Sequence, residues 1–147
     1  MSRTANLRRQ HDAVVDMVEA IVARAGALEQ DGVPYEMSLL LAKLTGTLRI
    51  HFAQEDRTLY PNMIASRHPD ASATAAAFQA EMGGLGAQFE AFAARWRTAL
   101  ALAADPHGFR AEASAIFSAL GDRVARENER LYPLADAIED WPLAFAA

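Results

Sequence analysis

Cysteine is absent from the 147 residues. That excludes disulfides, thiolate metal sites and a cysteine nucleophile. A metal held by this chain must therefore use nitrogen and oxygen donors, a set that suits iron, manganese or zinc. No apolar run reaches the length of a membrane span, and the N-terminus has no apolar signal-peptide core, so the expected compartment is the cytoplasm and no membrane partner is expected. An excess of positive charge is also missing: 14 Lys and Arg face 19 Asp and Glu, a formal charge of −5. Phosphates would not be neutralised as a block, which argues against nucleic acid. Arg3, Arg8 and Arg9 form only a small basic cluster, read as the solvated beginning of a helix. There is no glycine-rich phosphate loop following a strand, and no convincing nucleophile–base pair.

What is present reads as helix. The length suits one domain, residues 1–147, with a core of ordinary size. The 52% hydrophobic fraction is rich in alanine, which favours helix and close helix packing. A first helix is predicted over about Ala5–Leu28, with Leu7, His11, Val14, Val15, Val18, Ile21, Val22, Ala25 and Leu28 on its apolar stripe. Taken alone, His11 on that stripe reads as a hydrogen-bonded core residue. Asp31-Gly32-Val33-Pro34 then supplies turn chemistry. The second helix is predicted from about Tyr35 into the mid-sixties, with Leu39, Leu40, Lys43, Leu44, Thr47, Leu48, His51, Glu55, Leu59 and Met63 including its inner face. Pro61 is expected to kink or end it near Tyr60.

A third helix is predicted over about Ser72–Ala103, with Phe78, Met82, Leu85, Phe89, Phe92, Trp96 and Leu100 inward. Gly83-Gly84-Leu85-Gly86 interrupts it, marking either a close helix contact or a local break; the reading favours close contact. Asp105-Pro106 resembles an N-cap with proline at the first helical position. The fourth helix follows to about Ile138, with Phe109, Ala113, Ile116, Phe117, Leu120, Arg123, Glu127, Leu131 and Leu134 near its inner side. His68 and His107 are expected in solvent. The apolar tail from Trp141 to Phe145 is expected to dock over the bundle end or on a partner. The predicted fold is all-α, an antiparallel four-helix bundle.

One stretch repeats. His51-x-x-x-Glu55-x-x-x-Leu59-Tyr60-Pro61 returns 72 positions on as Arg123-x-x-x-Glu127-x-x-x-Leu131-Tyr132-Pro133. Side chains four apart share a helix face, so His51 and Glu55 converge and can share a metal ion. Two copies imply two similar helices contributing to one centre.

With His11-Asp12 in the first helix, these motifs resemble the hemerythrin-like (HHE) domain family over nearly the whole chain. The resemblance implies a four-helix bundle around a di-iron centre of five histidines and two bridging carboxylates, in proteins that carry oxygen or sense oxygen, nitric oxide or iron. By that resemblance His11 and His51 match the histidines of one iron, and Glu55 and Glu127 match the bridging carboxylates. The histidine positions of the other iron fall on Phe78, Met82 and Arg123. Sliding the third helix offers Gln79 or Glu81 but no histidine. Arg123 is expected to face inward and to supply positive charge to Glu55 and Glu127 in place of an iron.

Two functions follow as expectations. One is a non-catalytic regulatory or interaction module with a degenerate centre, no metal, and a protein partner. The other is a non-haem iron protein, mononuclear or with an altered dinuclear centre, that binds or senses oxygen, nitric oxide or iron through His11, His51, Glu55 and Glu127, with zinc as an alternative metal and Glu81 as a weaker further candidate.

Overall fold

The computed structural model describes residues 2–141, and of the apolar tail only Trp141 falls within them. Helix α1 spans Ala5–Ala25 and α2 spans Val33–Gln54; a π-helical turn, Glu55–Leu59, leads directly into α3, Tyr60–Ala65. Then come α4 (Pro69–Met82), α5 (Leu85–Arg95) and the short α6 (Ala99–Ala104). The last rod is α7 (Pro106–Arg126), a second π-helical turn over Glu127–Leu131, and α8 (Tyr132–Ala137). No strand occurs among the described residues. The short connections run successive rods antiparallel: α1 packs on α2, α2 on α5 and α6, α5 on α7, and α3 on α4. This is the all-α bundle that the periodicity predicts.

Local chemistry explains the boundaries. Gly32 takes the left-handed conformation (φ 82°) that ends the first connection, and Pro34 opens α2 where its missing N–H costs nothing. Asp105 caps α7, accepting from the Gly108 N–H at 2.9 Å.

Three expectations change. The third rod is not one helix. It breaks after Met82 and again at Trp96-Arg97-Thr98, where the Thr98 hydroxyl caps α6 by accepting from Ala101 N–H. Gly83 belongs to the break, since a Cβ there would collide with the Gln79 carbonyl. Gly86 alone lies against another helix, facing the Phe52 ring. The second break shifts the helical phase, so Leu102 is fully buried while Leu100 stands 81% exposed. On α2 the inner face is Met37, Leu41, Leu44 and Leu48; Leu39 is exposed, as is Lys43, and on α1 Val15 and Val22 are exposed too. Finally, Pro61 does not end the second rod. The helix widens into the π turn just before it, with Tyr60 N–H bonded to the Glu55 carbonyl, and then continues.

The apolar interior forms two clusters. One gathers Val14, Ile21, Leu44, Leu48, Phe89, Phe92, Trp96, Leu102, Phe109 and Leu120. The other gathers Leu7, Leu59, Tyr60, Met63, Phe78, Leu131 and Tyr132. On three of the rods the residues lying between the clusters are polar: His11 on α1, His51 and Glu55 on the second rod, and Arg123 and Glu127 on the fourth.

Leu102→Ala is expected to cost roughly 2–5 kcal/mol, as truncation of a buried leucine does, while Leu100→Ala should stay within about 0.5 kcal/mol. Urea denaturation of both variants tests the phase shift across the second break; equal losses would contradict it.

Candidate metal centre

The polar layer is assembled from helix spacing. His51 and Glu55 lie one turn apart on the second rod, and Arg123 and Glu127 lie one turn apart on the fourth. His11 enters from α1. His11, His51, Glu55 and Glu127 are each at most 1% exposed, and Arg123 is 2% exposed. One donor atom from each of the four possible ligands lies within 4.8 Å of the others.

The histidines are oriented from behind. His11 Nδ1 meets the Asn128 amide oxygen at 2.8 Å, and His51 Nδ1 meets that of Gln10 at 2.7 Å. An amide oxygen only accepts, so each Nδ1 carries a proton and each Nε2 turns to the centre. There His51 Nε2 is 3.0 Å from Glu55 Oε1, and His11 Nε2 is 3.2 Å from Glu127 Oε1. The rings themselves stand 4.6 Å apart, too close for both to be charged in an interior. His51 is pushed down to about 3 by burial and by the neighbouring charge of His11, which keeps it neutral. Burial works to lower His11 as well, but its bonds to Glu127 and Asn128 and the charges of the two glutamates outweigh that and hold it above its ordinary value. One imidazole is thus neutral and ready to ligate, and the other is biased toward its protonated form by the glutamates beside it.

Arg123 occupies the heart of the layer. Its Nε donates to Glu127 Oε2 at 3.0 Å and its Nη2 to Glu55 Oε1 at 3.1 Å. Nη2 also reaches Asp56 Oδ1 at 3.4 Å, and Nη1 donates to the Met82 carbonyl at 3.3 Å. The guanidinium lies over the Phe52 ring, 4.5 Å from its centroid. Burial opposes its charge, yet Glu127 and Glu55 more than compensate and hold it firmly protonated. Burial and then the charge of Glu55 raise Glu127 above the ordinary carboxylate range. Glu127 Oε1 faces His11 Nε2 at ion-pair distance and accepts no other hydrogen bond. A buried carboxylate oxygen needs a positive partner, either the protonated imidazole or a metal ion.

The donors fit one metal ion. Bonds of about 2.1 Å to a four-coordinate ion place its donors roughly 3.4 Å apart; the His51–Glu55 and His11–Glu127 pairs are already that close, and the wider pairs would have to close on the ion. They do not fit two. The positions matched to the second histidine triplet hold Phe78, whose ring lies in the apolar cluster beneath the Arg126 guanidinium, Met82, and Arg123 itself. Gln79 is exposed. Glu81 stays outside the group: it is exposed and paired with Arg126 at 2.6 Å. His68 caps α4 by its backbone, half-buried rather than exposed, and His107 is exposed.

Sequence reasoning placed His11, His51, Glu55, Glu127 and Arg123 together, and the structure brings these five into one layer. It passed over Gln10 and Asn128, the residues that orient the imidazoles. It noted Tyr60 and Tyr132 only as members of the repeat, and their recurrence there was the available signal.

A family model, Hemerythrin HHE cation binding domain, matches residues 2–135. No curated protein and no solved structure matches the chain.

Arg123→Met should destabilise the metal-free protein by about 3–5 kcal/mol, because it strands two buried carboxylates. Adding Glu55→Gln should recover part of the loss. Chemical denaturation of wild type, both single variants and the double variant reads the coupling; strictly additive losses would dissolve the pair.

Proposed function

The chain belongs to the hemerythrin HHE cation-binding domain family, and from that premise we propose that it is a single-metal member acting as a non-catalytic regulatory module. His11, His51, Glu55 and Glu127 would hold one non-haem iron or zinc, and Arg123 takes the place of the second ion. The observation that carries this reading is the convergence, within 4.8 Å, of one donor atom from each of four buried side chains, two of them imidazoles whose Nδ1 atoms are already committed. Two imidazoles and carboxylate oxygens make a donor set used by non-haem iron and by zinc. When bound, such an ion supplies Lewis acidity and, if iron, a redox centre. The protein's own contribution is to exclude water, fix the imidazole tautomers and neutralise the remaining carboxylate charge.

The non-catalytic part of the proposal is supported by burial. Ligands at most 1% exposed leave a reacting substrate no open approach. The output of such a module would pass to a protein partner in the cytoplasm.

A second reading has one observation in its favour. Arg123 already pairs with both carboxylates, so a metal-free module is electrostatically self-consistent. Metal analysis of protein purified without a histidine tag and loaded anaerobically with ferrous iron separates the two. The expected result is one ion per chain, lost in Glu127→Gln and in His51→Ala, the variants that remove a donor. A loaded wild type that retains no iron or zinc after desalting would leave the metal-free module standing.

A further inference from the structure

The two tyrosines of the repeat cross over. Tyr60 donates its hydroxyl to Glu127 Oε2 at 2.7 Å, and Tyr132 donates to Glu55 Oε2 at 2.6 Å. Each phenol therefore holds the glutamate of the other copy. Each holds its own glutamate through the main chain, Tyr60 N–H on the Glu55 carbonyl and Tyr132 N–H on that of Glu127.

This arrangement depends on the π turns. Residues five apart on an α-helix point roughly 140° apart, so a tyrosine there would face away from its glutamate. A π turn closes on the fifth residue, which brings tyrosine and glutamate back toward one face. Pro61 and Pro133 follow immediately and have no N–H to restore the narrower ladder.

The consequence falls on the carboxylates. In both, Oε2 is taken by a phenol while Oε1 faces an imidazole, at 3.0 Å for Glu55 and 3.2 Å for Glu127. Tyr132 also lies 3.1 Å from His11 Nε2, which confines that ring from the side opposite Asn128.

We propose that Tyr60 and Tyr132 are positioning residues of the metal centre, each occupying one oxygen of the opposite glutamate so that only the other reaches the ion. This rests on the single-metal reading. Both glutamates become one-oxygen donors, and with two imidazoles they make a compact four-donor set suited to zinc, cobalt or iron. Calcium, which takes six to eight oxygens and often both atoms of a carboxylate, is selected against.

The probe is cobalt(II), whose visible absorption reports coordination number, together with zinc affinity by competition against a chromophoric chelator. The full-length chain is compared as wild type, Tyr60→Phe, Tyr132→Phe and Tyr35→Phe, the last an exposed tyrosine. Loss of either buried hydroxyl is expected to weaken zinc about 10–100-fold, the usual effect of removing a partner that orients a ligand. The cobalt bands should also shift and weaken as the released oxygen joins the ion; Tyr35→Phe should match wild type in both. Should Tyr132→Phe not fold, Tyr60→Phe carries the test, because the same role is assigned to both. Wild-type affinity and an unaltered cobalt spectrum in the folded variants would overturn the positioning role and leave the metal centre standing. A wild type that takes up neither cobalt nor zinc would overturn the metal reading, and this inference with it.

Discussion

A permanently charged guanidinium between two buried carboxylates is the constraint on which the rest of this bundle depends. Glu55 and Glu127 are fully withdrawn from water, and each such ion loses several kcal/mol of hydration. Coulomb attraction to Arg123 offsets that only if the three side chains keep their registry. The second and fourth rods are therefore locked in phase, and α1 must bring His11 to the same level. The layer divides the apolar interior, with Leu120 in one cluster and Leu131 in the other on the same rod. A one-turn slip of any of these rods would drive a charge into one of the two clusters, where nothing could meet it. The polar layer thus acts as a register device, the role best attested for buried polar groups.

How much of this could be read from the chain depends on what each pattern encodes. Apolar spacing on α1, α2 and α7 is long and regular, so the rods and their order were legible. The interruption at Gly83-Gly84 was visible, but its meaning was not: glycine lowers helix propensity whether it serves a break or a close contact. Only the Gln79 carbonyl above Gly83 decides for the break, and the same four-residue stretch contains Gly86, which does approach Phe52. Leu100 and Leu39 were misplaced for a related reason. In an alanine-rich helix a leucine one position off the stripe looks inward, and a break upstream rotates everything after it.

The centre was more legible than the fold around it, because a repeat identifies residues without needing their phase. His51, Glu55, Arg123 and Glu127 were found in this way, and the family resemblance added His11. Gln10 and Asn128 were not, since a polar residue next to a histidine in the chain carries no sign that its amide will turn back to Nδ1. The π turns were hidden as well. Proline at Pro61 and Pro133 reads as a stop, and the same missing N–H is compatible with a helix that widens and continues.

Charge counting shows how arginine and a metal ion can occupy one centre. Without metal, Arg123 pairs with both Glu55 and Glu127, and Glu127 also draws His11 toward its protonated form. With a divalent ion His11 is neutral as a ligand, and Arg123 plus the ion exceed the two glutamates by one positive charge. Asp56 lies 3.4 Å from Arg123 Nη2, with its side chain 47% exposed, and supplies the missing negative charge at little desolvation cost. A second divalent ion would add two further charges with no acid left to meet them and no imidazole to bind it. Arg123 also makes its bond to Glu127 through Oε2, which leaves Oε1 to His11. The guanidinium and a single ion therefore draw on different oxygens of Glu127 and share only Glu55 Oε1. In a centre holding a single ion, Arg123 in the place of one histidine, with Phe78 and Met82 in the places of two others, would keep both the charge of the layer and the register of the bundle.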